Sequence, residues 1–216
     1  MNNNYLQILE YFAHISGVLP TLVALVLFKK LESRFVLFTC LLVITLIIDL
    51  MGWIMSLNSI QNLLILNIYN VIEFSFLLVF YSLLLRLRLK SFKTIFAITV
   101  LILFQIILEF RLNSIETLKT SAWAISNFIL VIIILTFLFK LFNKSIDVPY
   151  SRLPEFWISI GLLIYFAGTA LLFISTELFI SENILVTELW SINNLLVIVT
   201  NIFITIGLWR IRLSKI

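Results

Sequence analysis

One histidine and one cysteine are all that this 216-residue chain offers among soft metal-ligating and nucleophilic side chains, and only 12% of its residues are charged. Each scarcity excludes something. Cys40 alone forms no internal disulfide and reads as a small buried apolar residue. His14 with two intramembrane carboxylates is too thin a donor set for an intramembrane zinc hydrolase. With five glycines and three prolines, there is no Gly-rich phosphate loop, no flexible linker and no low-complexity tract. The last apolar stretch contains no lysine, so a retinal Schiff base is excluded.

The chain is instead 62% hydrophobic with a mean hydropathy of +1.16. A soluble domain of this length cannot hide so much apolar surface. Seven stretches are long enough to cross a bilayer as helices: Tyr11–Phe28, Phe35–Leu57, Leu63–Leu85, Phe92–Leu108, Ala122–Phe139, Phe156–Ile174 and Val186–Trp209. Transmembrane β-strands alternate in polarity, whereas Phe128-Ile-Leu-Val-Ile-Ile-Ile-Leu135 is apolar on every side. In lipid the backbone must satisfy itself within a segment, which favours helix. The expected fold is all-α, a single polytopic domain over residues 1–216. The first run has no basic residue ahead of it and no small-residue cleavage pattern after it, so it is expected to be retained rather than removed as a signal peptide.

The charges orient the bundle. With the N-terminus outside, 13 of the 15 basic residues fall at the inner ends of spans. They are Lys29, Lys30 and Arg34; Arg86, Arg88, Lys90 and Lys93; Lys140, Lys144 and Arg152; and Arg210, Arg212 and Lys215. Only Arg111 and Lys119 lie outside, and the last outer loop carries Glu177, Glu182 and Glu188 with no base. The positive-inside rule therefore predicts N-terminus out and C-terminus in, a multi-pass protein of the cell (inner or plasma) membrane. The net charge of +4 is spread as collars facing anionic headgroups, and it carries no nucleic-acid signal. The Asn143-Lys-Ser145 sequon falls inside on this topology and reads as chance.

The third stretch contains "NIYNVIEFSF", with Asn67, Asn70 and Glu73 in an otherwise apolar helix. Asp49 and Glu73 are the acidic residues well inside spans. They lie about 12 Å and 15 Å below the outer ends of the second and third helices at 1.5 Å per residue, hence at nearly one depth. An intramembrane carboxylate is costly facing lipid and marks a functional site by default. Gln105, Asn127, Asn193 and Asn194 gather towards the same level. Gly161, Tyr165, Gly168, Thr169 and Thr176 form one stripe of the sixth span. The expected ligand-binding set is Asp49, Asn67, Asn70, Glu73, Asn127, Tyr165 and Asn194, around a cavity opening outward over an apolar inner plug. Asp49 and Glu73 are expected close together, with Asn70 and Asn194 beside them. His14 is expected to hydrogen-bond at the interface, and Gly161 and Gly168 to let helices approach. No cofactor and no metal are expected.

"LPEFWISIGLLIYFAGTALLF" (Leu153–Phe173), together with "NIYNVIEF", resembles segments of uncharacterised seven-span bacterial membrane proteins, some similar to the membrane modules that precede signalling kinases. The Ile-, Phe- and Asn-rich, Ala-poor usage agrees with a bacterial origin. The resemblance implies a receptor or sensor module that takes a small extracytoplasmic ligand. Only seven residues follow Trp209, so output is expected through a separate cytoplasmic signalling partner. The alternative is a small-solute or proton-coupled transporter with a parallel 3+1+3 repeat, since spans one to three and five to seven share an orientation. A lipid-modifying enzyme using the two carboxylates as acid and base comes third, because nothing positions a nucleophile.

Overall fold

The computed structural model of the protein describes residues 3–87, 91–112, 120–144, 148–178 and 183–213. Arg88, Lys90, Lys119, Ser145, Glu182 and Lys215 lie outside the described residues, as do the side chains of Arg111, Glu177, Glu188 and Arg212. Among the described residues there is no strand, and seven helical stretches are long and apolar enough to span a bilayer. The protein is an all-α integral membrane bundle.

The helices are α1 (Asn3–Ser16), α2 (Val18–Leu27), α3 (Ser33–Leu57), α4 (Leu63–Leu84), α5 (Phe92–Leu112), α6 (Thr120–Phe142), α7 (Pro154–Leu178) and α8 (Asn183–Leu213). The first span is thus two helices broken at Gly17. Pro20 has no N–H to offer the carbonyl of Ser16, four residues back, so the ladder is interrupted where the break falls. Side chains brace the break: Thr21 donates to the Gly17 carbonyl at 2.9 Å, and Asn201 Nδ2 donates to Ser16 Oγ at 2.8 Å. Asn201 therefore stitches α8 to the break. At the other end of the sequence, α8 has 31 residues, or about 46 Å, against a hydrocarbon core of about 30 Å. It overshoots the Val186–Trp209 span at both ends.

Leu, Ile and Phe alternate between lipid and core. Leu22, Val26, Ile54, Phe92, Phe128, Ile132 and Leu171 are exposed around the outside, an apolar surface that only a bilayer accommodates. Cys40 also faces out, contrary to the buried role expected for it; its small apolar thiol is tolerated as well by lipid as by core. Inside, Phe35, Phe38, Phe80, Tyr81 and Phe137 pack ring to ring, with Phe38 stacked on Phe80 at 4.9 Å. Tyr81 donates its hydroxyl to Ser159 at 3.1 Å, so the polar tip of this apolar cluster is satisfied.

Glycine decides the tightest seam. A methyl group at Gly207 would lie 2.8 Å from the Pro154 carbonyl, and one at Gly161 would lie 2.7 Å from Phe203 Cβ. Thr200 reaches across to donate to the Gly161 carbonyl at 3.1 Å. Small residues bring α7 and α8 together here, the usual device of helices without a hydrophobic drive to associate. Around the bundle, α8 meets α1 and α2, α2 meets α3, α3 meets α4, α4 meets α6, and α6 meets α7. These contacts close a ring of six spans. The fourth span, α5, leans on α4 and α6 from outside.

Candidate functional site

The ring encloses a cavity of about 520 Å³, within the range of small-molecule sites. Its depth follows from the alternating helix directions. Towards one end lie Leu6, Glu10, Trp53, Ser56, Asn62 and Trp190; deeper come His14, Asp49, Tyr69, Glu73, Tyr165 and Asn194; the floor is Phe38, Leu41, Leu77, Leu162 and Ile204. Those floor residues belong to the buried apolar cluster that fills the opposite half. That opposite half ends at Lys29, Lys30, Arg34, Arg86, Lys140, Arg152 and Arg210, so the cavity mouth and most of the basic residues are at opposite ends. At the basic end Arg34 pairs with Glu32 at 2.9 Å and Glu155 at 3.6 Å, tying α3 to α7. Lys140 donates to the Leu85 carbonyl at 2.9 Å, beyond the end of α4.

Six of the seven residues expected at a ligand site line this one cavity: Asp49, Asn70, Glu73, Asn127, Tyr165 and Asn194. Asn67 does not. The cavity-facing side of α4 is defined by Leu66, Tyr69, Asn70, Glu73 and Leu77, and at 100° per residue Asn67 sits roughly 110° round from its centre. It is buried in the helix packing instead.

Each carboxylate has its own partner. His14 Nδ1 lies 2.8 Å from Asp49 Oδ2, while His14 Nε2 is 3.9 Å from Glu10. The His14 ring also lies against Trp53, with centroids 5.6 Å apart. Tyr69, one turn before Glu73, donates its hydroxyl to Glu73 Oε1 at 3.0 Å and contacts Thr45 Oγ1 at 2.8 Å. Among the described residues neither Asn70 nor Asn194 bonds a carboxylate. Asn70 Oδ1 accepts from Gln105 Nε2 and Ser126 Oγ, both at 3.3 Å, and Asn127 Nδ2 donates to Thr169 at 2.9 Å. Asn70 and Asn127 thus combine a cavity-lining position with interhelical hydrogen bonding.

Sequence reasoning passed over Tyr69, Thr45 and Glu109. Tyr69 lies i−4 from Glu73, a spacing that puts both on one face. Glu109 fell beyond the expected end of the fourth span at Leu108, but α5 runs on to Leu112. Its carboxylate is buried and accepts from Trp123 Nε1 at 2.8 Å and Gln105 Nε2 at 3.4 Å. This cluster fastens α5 to α6 and, through Asn70, to α4. It stands behind the cavity wall, and α5 contributes no lining residue among those described.

Among the described residues no group of three or more His, Cys, Asp or Glu is placed to hold a metal ion. No known protein family, curated protein or solved structure matches the chain.

Proposed function

We propose that this integral membrane protein is a receptor or sensor module, oriented N-terminus out, whose cavity takes a small extracytoplasmic solute and whose output passes to a separate cytoplasmic signalling protein. One observation carries the reading. The cavity's polar lining lies towards the end away from the basic collar, and Phe38, Leu77, Leu162 and Ile204 of the buried apolar cluster floor it at the other. A cavity floored in this way suits detection better than passage. The orientation rests on the basic collar meeting the cytoplasmic leaflet.

A parallel 3+1+3 transporter is the second reading, favoured by the ring itself. Spans one to three and five to seven form its two halves, and the intervening α5 stands outside and supplies no cavity-lining residue among those described. Such an arrangement agrees with two repeats and a linker helix.

Proteoliposomes separate the two. A thermal-shift screen of small extracellular solutes supplies the ligand, and radiolabelled uptake of that ligand is then followed into sealed vesicles. A receptor gives saturable binding without accumulation. Uptake that depends on the protein, with proton movement reported by an internal pH dye and lost in Glu73→Gln, overturns the receptor reading in favour of transport.

A further inference from the structure

The cavity wall is unbalanced in charge. Among the described residues Glu10, Asp49 and Glu73 line it, no lysine or arginine does, and His14 is the one basic side chain. Even with His14 counted as a full cation, carboxylates outnumber cations three to one. Asp49 has the imidazole beside it, whereas Glu73 has only a phenol hydroxyl on Oε1. A carboxylate withdrawn from water requires a compensating charge or a proton, and among the described residues no basic side chain supplies one at Glu73. Aromatic rings complete the wall: Trp53 and Trp190 nearer the mouth, Tyr69 and Tyr165 at the level of Glu73. Ring faces attract organic cations, the more so where water is excluded.

We infer that the solute taken by this cavity is an organic cation, an ammonium group on an apolar body, with the ammonium seated at Glu73 and its body against the tryptophan and tyrosine rings. The inference rests on the cavity being a ligand site, as the receptor reading requires, and narrows the ligand to one chemical class. Tyr69 holds the carboxylate in place from the same helix face while Oε2 is left for the ligand. The floor of Phe38, Leu77, Leu162 and Ile204 offers apolar contact to the body. The same ammonium chemistry comes from two sources, a free amine or the headgroup of an aminophospholipid.

The test uses the full chain in nanodiscs of phosphatidylglycerol, with isosteric probes: 2-phenylethylammonium, neutral 2-phenylethanol and anionic 3-phenylpropanoate. Titration calorimetry is paired with tryptophan emission, since Trp53, Trp123 and Trp190 all line the cavity; protein-free nanodiscs correct for partition into lipid. The ammonium is expected to bind about tenfold or more tighter than the alcohol, the difference of one charge-assisted hydrogen bond, and the carboxylate probe not at all. Glu73→Gln should erase that preference while leaving alcohol binding intact. Asp49→Asn, a second variant at the same depth, should weaken the ammonium less. Equimolar mixtures of phosphatidylglycerol with phosphatidylethanolamine or with phosphatidylcholine match in surface charge and distinguish the sources: weaker ammonium binding in the ethanolamine mixture assigns the site to an aminophospholipid headgroup, and equal binding assigns it to a free amine. Equal or tighter binding of the neutral or anionic probe overturns the cation assignment and leaves the receptor reading standing. Failure of the ammonium to bind at millimolar concentration overturns it as well. Uptake of the ammonium into sealed vesicles would instead remove the receptor reading and keep the cation.

Discussion

His14 Nδ1 and Asp49 Oδ2 are 2.8 Å apart, joining the first and second spans across 35 residues of sequence. The pair sits at the cavity wall above the break at Gly17, where the first span has lost part of its own hydrogen bonding. It therefore fixes α1 on α3 at the point where α1 is least constrained by α2. Both side chains are only partly buried, 21% and 39% exposed, which lowers the value of the interaction below that of a fully buried ion pair. A double-mutant cycle with His14→Ala and Asp49→Ala, read by reversible unfolding in mixed micelles, should return a coupling energy of about 1 kcal/mol. Additive losses would mean that the two groups act independently.

The glycines of the α7–α8 seam should differ from the glycine of the break. Gly207→Ala places a methyl group 2.8 Å from the Pro154 carbonyl, a backbone atom that moves only with its helix. A loss of about 1–3 kcal/mol is expected. Gly17→Ala meets nothing closer than 3.7 Å, and the position has a φ of −68°, so it should leave stability unchanged or slightly raised. Unfolding midpoints of both variants check this, and equal losses would contradict the close-approach account.

Much of this architecture is legible in the residues themselves. The seven spans follow from hydropathy because lipid leaves the backbone no alternative to helix. Gly161 and Gly168 signal close packing, and α7 begins at Pro154, as a proline without an N–H to satisfy favours. The polar cluster is also visible, because Asn and Glu in an apolar helix have few other reasons to be there. Side-chain partnership is harder to read. Asp49 and Glu73 share a depth, yet Asp49 turns to His14 and Glu73 to Tyr69, since rotation about each helix decides the neighbour and span lengths record only height. Glu109 was missed for a related reason. A carboxylate at a span end looks interfacial in sequence, and only the tertiary arrangement buries it under Trp123 and Gln105.

Orientation is open to a direct check. Reporter fusions at Asn2 and Lys215 should give an external and a cytoplasmic signal respectively, as the basic collar requires. Signals from the same side would remove the odd number of crossings.

The most direct measurement asks from which side the cavity is reached. In a Cys40→Ser background, a cysteine replacing Asn194 lies on the cavity wall, and one replacing Leu208 lies in the apolar half, where Leu208 is fully buried. A membrane-impermeant maleimide is added to intact cells and, separately, to inside-out vesicles. The account predicts labelling of Asn194→Cys in intact cells alone, with Leu208→Cys protected on both sides. Labelling of Asn194→Cys from the cytoplasmic face, whether alone or as well as from outside, would contradict an outward-opening cavity closed by an apolar plug.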